Sequence, residues 1–406
     1  MDRFIIQTLV APDEEPDARV DAVELRFDLY PGIDVEAAVA RQRKPVVATV
    51  RRERDGGRWS GNESERASLL RRAAAAAYVD VELDLDPGAV PGGPRRIVSH
   101  HTLDGVPPDL DALFEQCLLR GAYRVKIAAT PTDPVQAFRL LDLPTAGLGM
   151  GPWGGFTRAL APLTYCAAEP VAPGMPTPAD LFDLYDVRRI GPRTALYGVA
   201  GDPVEHSRSP QLHNPALRRD GVDAVYLRFR VADLAPFWEA FVKHGGRGLS
   251  VTAPLKEQAF QLARAPDADA RACGAANTLL QDGRAFNTDL QAMLELVPRG
   301  SGDALILGAG GAARTARVAL QRLGYTPRVW ARRLEQAVAL GIEVAAQPEA
   351  APVVVNTTPL DPPAAPFVLD LRYGPSIDPP RAGVDGLTFL RAQARHQYRL
   401  FTGREL

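Results

Sequence analysis

Eight short apolar segments recur in the first half of the chain, and this repetition constrains the fold more than any other feature of the sequence. Stretches rich in alanine, leucine and arginine, such as 63–77 and 108–120, separate many of them and suit helices. This alternation predicts a parallel sheet, and eight repeats predict a (β/α)8 barrel. The segment 11–20 carries two prolines and is too short for a crossover helix, so we expect the barrel to be trimmed there. The predicted strands are 3–10, 22–29, 45–51, 78–85, 95–101, 123–129, 144–151 and 159–167.

Length and composition place the chain among ordinary globular proteins of roughly two to three domains. The net charge of -2 leaves no basic excess for a nucleic acid or a membrane surface, so neither is an expected partner. The three cysteines, Cys117, Cys166 and Cys273, show no ligand spacing and are expected to be reduced, buried thiols. We find neither a long apolar span nor a signal core and therefore expect a cytoplasmic location.

Charged side chains lie on the predicted strands of the first half. Glu24, Arg26 and Asp28 alternate with apolar residues, and the period of two places them on one face. In a barrel that face points inward, where a charge must be paired or functional. The carboxyl ends of barrel strands are where active sites form. Four further polar residues lie at or near the ends of predicted strands: Arg51, His101, Lys126 and Arg158.

Two interpretations of Lys126 remain open from its position alone. It is either a solvated or ion-paired lysine, or a buried amine with a lowered pKa that forms a Schiff base with a ketone. His100 and His101 are neighbours on a strand and point to opposite faces, so at most one reaches an inward site, where general base catalysis suits it. Neither histidine has a carboxylate or cysteine at ligand spacing, so we expect no metal.

Residues 1–180 resemble the type I 3-dehydroquinate dehydratases. The resemblance implies that Lys126 forms an imine with the ketone of 3-dehydroquinate and that His101 is the general acid and base. It also implies that Glu24, Arg26, Arg51 and Arg158 hold the substrate. Three positions depart from the family pattern: Met175 replaces Gln, Val171 replaces Ser and Asp55 replaces Glu. The motifs, in order, are Glu24-Leu25-Arg26, Thr49-Val50-Arg51, Ser99-His100-His101, Lys126-Ile127-Ala128, Arg158 and Ala172-Pro173-Gly174.

A polar loop opens the second half, after a predicted linker at 181–194. Ser207 and Ser209 lie two apart in it, either in a hydroxyl-rich turn or as donors to a carboxylate. Further on are Lys256 and Asp289. Taken alone, these two residues are most simply interpreted as a surface lysine and a helix N-cap.

A glycine-rich segment with Gly308, Gly310 and Gly311 follows the apolar run 304–307 and precedes a predicted helix at 312–323. Such glycines let a pyrophosphate approach the start of a helix, so we predict a Rossmann-type domain over 301–375. The loop and helix start that would bind the cofactor also include Ala312.

The position about 20 residues beyond the glycine loop separates NAD from NADP enzymes. An acidic residue there would bind the ribose hydroxyl of NAD, but the sequence has Ala331 followed by Arg332 and Arg333. Arginine suits a 2′-phosphate through charge and paired hydrogen bonds. We therefore predict NADP(H) as the cofactor.

Residues 195–406 resemble the shikimate dehydrogenases. The resemblance implies that Ser207 and Ser209 bind the substrate carboxylate and that Lys256 and Asp289 form the catalytic pair. It further implies a substrate-binding α/β domain over 195–300, against which helices in 376–406 pack. The residues implied around the ring hydroxyls are Thr252, Lys256, Asn277, Asp289 and Gln393. The motifs are 197–214, 251–256, 274–279, 287–289, the glycine loop, 356–359, Gly386-Leu387 and Gln393.

Taken together, the two resemblances imply a bifunctional enzyme of the shikimate pathway for aromatic amino acids. The first half would convert 3-dehydroquinate to 3-dehydroshikimate, and the second would reduce 3-dehydroshikimate to shikimate with NADPH and no metal. One alternative is a shikimate or quinate dehydrogenase whose barrel is a scaffold or binding module with weak or no catalysis. Another is a sensor of NADP or of a metabolite without catalysis.

Overall fold

The computed structural model describes residues 3–90 and 93–406, which form two compact units, Met1–Arg193 and Thr194–Leu406. In the described part of the chain, no helix is long and apolar enough to cross a membrane. All three cysteines are free and buried, as the sequence predicts.

The first unit is a parallel barrel, which confirms the predicted fold class. Its strands are hydrogen-bonded in the order β7-β6-β5-β4-β3-β2-β1-β8, and the two end strands approach each other without a ladder, so the barrel is nearly closed. Apolar side chains fill the space between strands and helices. The strands are β1 Phe4–Leu9, β2 Ala22–Arg26, β3 Val46–Thr49, β4 Tyr78–Glu82, β5 Arg95–Thr102, β6 Arg124–Ala129, β7 Ala146–Gly149 and β8 Leu163–Cys166.

Helices cover the barrel unevenly. The first four begin after an aspartate or asparagine whose side chain accepts a hydrogen bond from a backbone N–H of the first turn. No helix joins β1 to β2, which confirms the predicted trimming. In the described residues of the β4–β5 connection, 83–90 and 93–94, a 3-10 turn, Pro87–Ala89, takes the place of an α-helix, and the segment 83–94 contains three prolines and three glycines. The helices are α1 Val35–Arg41, α2 Glu63–Arg72, α3 Leu110–Leu119, α4 Pro134–Leu141, α5 Gly151–Gly154 and α6 Thr157–Leu160.

The predicted linker at 181–194 packs for most of its length on the barrel. A π-helical turn, Asp180–Leu184, and a 3-10 turn, Val187–Arg189, bury Leu181 and Val187 completely. Arg188 donates hydrogen bonds to the backbone oxygens of Arg3 at 2.5 Å and Arg19 at 2.8 Å. This closing segment, 180–190, therefore belongs structurally to the first unit.

The second unit begins with a mixed six-stranded sheet in the order β10-β9-β11-β13-β14-β12, in which β13 is antiparallel to both neighbours. Its strands are β9 Ala195–Gly201, β10 Ala224–Arg230, β11 Gly246–Val251, β12 Ala265–Pro266, β13 Thr278–Leu280 and β14 Arg284–Phe286. Its helices are α7 Ser209–Arg219, α8 Leu234–Lys243, α9 Lys256–Leu262, α10 Ala268–Cys273 and α11 Thr288–Leu296.

A second six-stranded sheet in this unit is parallel throughout, in the order β17-β16-β15-β18-β19-β20. Successive strands leave β15 in opposite directions, which makes its carboxyl end the crevice where Rossmann-type folds bind nucleotides. The strands are β15 Gly302–Leu307, β16 Tyr325–Trp330, β17 Glu343–Val344, β18 Val353–Asn356, β19 Phe367–Asp370 and β20 Gly383–Val384. The helices are α12 Gly311–Leu323, α13 Leu334–Val338 and α14 Gly386–Thr402.

The C-terminal tail differs from the prediction of helix over 376–406. Helix α14 begins only at Gly386, where the Asp385 side chain accepts a hydrogen bond from the backbone N–H of Thr388. Prolines at 379 and 380 oppose an earlier start, and Gly383–Val384 pairs with β19 instead. The helix packs back on the first sheet of the unit, where Tyr197 donates to the backbone oxygen of Phe401 at 2.9 Å.

Candidate active sites

A ring of four polar side chains lies inside the barrel, one from each even-numbered strand. The Lys126 ammonium on β6 lies 3.0 Å from a carboxylate oxygen of Asp80 on β4 and 3.9 Å from one of Glu24 on β2. It also lies 4.0 Å above the ring of Tyr165 on β8. Alternate strands contribute side chains to one layer of a barrel interior, so residues on the four even-numbered strands can meet in one layer.

Burial sets the charge state of this ring. Lys126 is 7% exposed, and desolvation lowers its pKa despite the nearby carboxylates. Asp80 shares its carboxylate with Arg51, whose Nη2 lies 2.7 Å away, closer than the lysine. The buried cations hold the pKa of Asp80 well below its ordinary value. Lys126 is therefore a buried amine whose carboxylate partner is largely neutralised by an arginine.

His101 is half-buried next to Arg51, whose Nη1 lies 3.5 Å from the ring Nδ1. Burial is the main cause that lowers its pKa well below the ordinary value, and the charges of Arg51 and Lys126 act in the same direction. An imidazole held neutral in this way can accept a proton. His101 and Lys126 lie on adjacent strands, so base and amine share one end of the barrel.

The four other barrel residues that the resemblance implies as substrate ligands differ in their partners. Glu24 accepts hydrogen bonds from Thr8 at 2.6 Å and Thr49 at 2.9 Å. Arg26 is occupied by a two-point contact with Asp28, and Arg51 by Asp80 and Glu82.

Arg158 is the exception among these arginines. It is 3% exposed, donates from Nε to the Gly149 carbonyl at 3.2 Å and forms no ion pair with any residue of 3–90 or 93–406. Burial lowers the pKa of its guanidinium to about 10. A buried cation without a carboxylate partner is a natural binding point for an anionic group.

In the second unit, one cavity of 210 Å³ brings together the polar residues singled out in that half. They come from the β9–α7 loop, the end of β11 and helices α9, α11 and α14. Apolar walls with a few convergent polar groups are typical of small-molecule sites. The polar residues singled out in the sequence that line this cavity are Ser207, Ser209, Thr252, Lys256, Asn277, Asp289 and Gln393.

Lys256 and Asp289 form an ion pair in this cavity, with the ammonium 2.5 Å from a carboxylate oxygen. The other oxygen of Asp289 accepts a hydrogen bond from Asn277 at 2.9 Å. The N-cap of α11 is Asn287, whose side chain accepts from the N–H of Leu290, so Asp289 is not the capping residue. The simpler interpretations of Lys256 and Asp289 as a surface lysine and a helix cap therefore do not describe this pair.

The glycine loop reaches the same cavity, which Ala312 at the start of α12 lines. Gly308 has φ 105°, a value that favours glycine, and a side chain there would collide with Thr357. A Cβ on Gly310 would meet no atom within 4 Å, whereas one on Gly311 would lie 2.8 Å from Cβ of Lys256. Helix α12 has no side-chain cap, so its first N–H groups suit a bound pyrophosphate.

Arg332 and Arg333 follow β16 and are exposed. Neither makes an ion pair with another described residue. Two unpaired guanidinium groups at this place fit the extra phosphate of NADP. No group of three or more histidine, cysteine or acidic side chains that could hold a metal occurs among the described residues.

Comparisons with known proteins cover both units. A model of type I 3-dehydroquinase matches residues 13–192, and one of the shikimate dehydrogenase substrate binding domain matches residues 199–279. The chain is 31% identical to the "Bifunctional 3-dehydroquinate dehydratase/shikimate dehydrogenase, chloroplastic" of Arabidopsis thaliana, over 99% of this chain and 80% of that protein. It belongs to this bifunctional family.

Two further relatives agree with this assignment. The "Shikimate biosynthesis protein AroDE" of Chlamydia pneumoniae is 30% identical over 79% of this chain and 73% of its own length. The "Shikimate dehydrogenase (NADP(+))" of Anaeromyxobacter dehalogenans is 44% identical over 45% of this chain and 79% of its own. The chain is thus a shikimate-pathway enzyme with a dehydratase unit and a dehydrogenase unit.

The dehydratase unit differs from its family at the rim of the barrel. Asp55, which replaces the usual Glu, lies on a 3-10 turn and forms an ion pair with Arg52 at 2.6 Å. Met175 packs against the apolar cluster that includes Tyr165, where the family's Gln would offer an amide. Val171 is half-buried and offers no hydroxyl. Among the described residues, none of these three side chains forms a hydrogen bond or ion pair with Lys126 or His101.

Sequence reasoning missed two tyrosines of the dehydrogenase unit. Tyr373, which follows β19, lines the cavity and hydrogen-bonds with Ser207. Tyr226 on β10 hydrogen-bonds with Ser209 and donates to Ser250 at 2.6 Å. The only sequence signal for Tyr373 is its position just after a strand of the Rossmann-type sheet. Tyr226 lies in mid-strand and gives no signal.

Proposed function

We propose that Lys126 is the nucleophile of the dehydratase. Its unprotonated amine attacks the C3 ketone of 3-dehydroquinate, and water leaves to give an imine that accepts electrons from the adjacent carbon. His101 removes the C2 proton and returns it to the C1 hydroxyl, which departs as water. Hydrolysis of the imine releases 3-dehydroshikimate and restores the amine. The buried, partly neutralised surroundings of Lys126 support this role because they favour the free amine.

Arg158 is the proposed partner of the substrate carboxylate in the barrel. Arg158 is buried without an ion pair to any described residue, which supports this role. Arg26 and Arg51 are less suited to it, because their guanidinium groups already face carboxylates of the protein. Glu24, Arg26 and Arg51 are proposed to orient the substrate hydroxyls and the lysine.

In the second unit, we propose that residues 195–300 with α14 bind the substrate and that residues 301–375 bind NADP. Reduced NADP, when bound, supplies the hydride. Lys256 protonates the oxygen of the 3-dehydroshikimate ketone, and Asp289 holds the lysine in place through their ion pair. Ser207 and Ser209 receive the carboxylate, and Thr252, Asn277 and Gln393 receive the ring hydroxyls. The convergence of these seven residues on one cavity is the observation that carries the proposal.

NADP is favoured over NAD by the unpaired Arg332 and Arg333 and by the NADP(+) in the name of the Anaeromyxobacter relative. A cytoplasmic location stays a prediction from the sequence, since the Arabidopsis relative is named as chloroplastic.

One experiment tests the whole sequence of steps. Purified protein with 3-dehydroquinate and NADPH alone should produce shikimate, measured by chromatography and by the loss of NADPH absorbance. NADH should support a rate at least about tenfold lower if the two arginines bind the 2′-phosphate. Shikimate formation only when an external dehydratase is added would overturn the barrel half of the proposal.

Borohydride treatment in the presence of 3-dehydroquinate tests the imine directly. It should fix one substrate-derived mass on the peptide that contains Lys126, detected by mass spectrometry. The Lys126→Met variant is the control and should carry no adduct. An adduct on another lysine would overturn the assignment.

A further inference from the structure

Tyr226 links two walls of the dehydrogenase cavity without lining it. Its side chain is completely buried on β10, and its hydroxyl donates to Oγ of Ser250 at 2.6 Å. Ser250 in turn donates to Oε1 of Gln397 at 2.8 Å. The Tyr226 hydroxyl also lies next to the side chain of Ser209, whose hydroxyl oxygen is 3.2 Å from that of Ser207. One phenol therefore joins the serine pair to the opposite wall.

The backbone of Tyr226 is fixed by the helix that carries Ser209. Asn214 on α7 exchanges two hydrogen bonds with the backbone of Tyr226, at 2.8 and 2.9 Å. His213 from the same helix stacks on the tyrosine ring, with centroids 4.3 Å apart and planes 4° from parallel. Burial lowers the pKa of His213 to about 3, so it packs as a neutral ring. Helix α7 and Tyr226 thus form one block.

The neighbouring serine gives the phenol a specific task in this chain. A serine hydroxyl has one proton to donate and can accept further hydrogen bonds. Ser250 donates this proton to Gln397 and accepts a hydrogen bond from the hydroxyl of Tyr226. Gln397 then donates to the backbone oxygen of Asn277 at 3.1 Å. The hydrogen-bond chain runs from the serine pair to the residue that contacts Asp289.

We propose that Tyr226 is a positioning residue of the dehydrogenase: it holds Ser209 and Ser250 in the rotamers that receive the substrate carboxylate and the ring. This inference rests on the proposed function of the serine pair. A hydroxyl rotates freely unless a hydrogen bond fixes it, so a fixed serine gives up less freedom when the substrate binds. The effect falls on substrate binding, since the phenol touches neither Lys256 nor Asp289.

The test uses the full chain and removes only the hydroxyl, in Tyr226→Phe. We expect KM for shikimate to rise about tenfold, as expected for the loss of about one net hydrogen bond at a buried site, with kcat within about twofold. KM for NADP should not change. The dehydratase rate of the same preparation reports that the protein is folded. Ser250→Ala breaks the chain from the other side and should also raise KM for shikimate.

A matched control is Tyr398→Phe. Tyr398 belongs to the same apolar cluster and is equally buried, but its hydroxyl donates to Asp220 at 2.7 Å, away from the serines. This variant should keep the KM of the wild type. A rise in KM of equal size in Tyr398→Phe would show that the effect is one of packing and would overturn the proposal.

Shikimate methyl ester provides a measurement that would not change if the role of Tyr226 were merely structural. The ester lacks the negative charge, so the wild type should discriminate strongly between shikimate and its ester in kcat/KM. Tyr226→Phe should reduce that discrimination about tenfold. Equal losses on both compounds, or no loss on either, would overturn the positioning role while leaving the proposed function intact. A wild-type protein that does not oxidise shikimate with NADP would overturn both.

Discussion

Each unit holds one lysine beside a carboxylate, and the surroundings of the two lysines differ. Lys126 lies inside a barrel between Asp80 and the ring of Tyr165, with Arg51 as the closer partner of the carboxylate. Lys256 lies at the start of a helix on the wall of an open cavity, with Asp289 2.5 Å away. Burial lowers the pKa of the Lys126 amine, whereas Lys256 has a close carboxylate partner that fixes its position.

The difference follows from what each proposed reaction needs. A nucleophile must be unprotonated, and burial next to a competing cation favours that state. A proton donor must be protonated and correctly aimed, and a dedicated carboxylate provides both. The same residue type therefore serves two chemistries, and its neighbours decide which one.

The largest expected effect comes from exchanging each lysine for methionine. Lys126→Met should lower dehydratase activity by at least about 10⁴-fold, since it removes the nucleophile, and should leave the dehydrogenase unchanged. Lys256→Met should lower dehydrogenase activity by about 10²–10⁴-fold, as expected for loss of a general acid, and should leave the dehydratase unchanged. Both assays on each variant provide the controls. If either variant lost both activities, the two sites would not be independent.

The carboxylates should differ in their importance for stability. Asp80→Asn leaves Arg51 and Lys126 buried without their shared anion, so we expect the free energy of unfolding of the first unit to fall by about 3–5 kcal/mol. Asp289→Asn should cost about 1–2 kcal/mol, because Lys256 can rehydrate at the cavity wall. Urea denaturation followed by circular dichroism, which does not depend on catalysis, measures both. Equal shifts in the two midpoints would contradict the comparison.

The stem of Lys256 packs against the nucleotide loop, and this contact has no counterpart described around Lys126. Gly311→Ala would place a methyl group 2.8 Å from Cβ of Lys256, so the lysine must move. We expect kcat of the dehydrogenase to fall about 10²-fold, as displacement of a reacting group by about 1 Å can do.

Gly310→Ala is the control for the nucleotide loop, since a Cβ there meets no protein atom within 4 Å. It should raise KM for NADP and leave kcat nearly unchanged. Steady-state kinetics with both substrates varied separates the two effects. A Gly311→Ala variant with wild-type kcat would show that Lys256 tolerates the displacement.

The smallest expected effect concerns the rim of the barrel. Met175→Gln restores the amide that the related dehydratases usually have, so KM for 3-dehydroquinate should fall about two- to tenfold through one added hydrogen bond. The dehydrogenase in the same chain should not respond. An unchanged or higher KM would mean that the packing of Met175 against the Tyr165 cluster has replaced the amide.

The sequence predicted the barrel strands well because each is a short apolar run bounded by turn residues. It did not predict the missing helix between β4 and β5, although the prolines and glycines of 83–94 were a visible signal. It was wrong about 376–385, where Pro379 and Pro380 oppose a helix and Gly383–Val384 pairs with β19 instead.

For the sites, the motifs gave the right residue types but could not give their electrostatic states. Arg26 and Arg158 look alike in the sequence. Only the fold shows that Arg26 pairs with Asp28, whereas Arg158 has no ion pair among the described residues. In the sequence, Lys256 could be a surface lysine and Asp289 a helix N-cap. The structure shows that Asn287 is the N-cap and that Lys256 pairs with Asp289. Tyr226 could not be found at all, because its role depends on neighbours from three distant segments.

The closing segment of the first unit has a consequence for dividing the protein. Leu181 and Val187 are completely buried, and Arg188 donates to the backbone before and after β1. A separately produced dehydratase that stops at residue 180 would expose this apolar surface and would be prone to aggregate. A dehydratase that continues to Arg193 keeps the closing segment that covers this surface. The boundary at which the two enzymes can be cut apart therefore lies well beyond the last barrel strand, which ends at Cys166, in the short stretch just before β9.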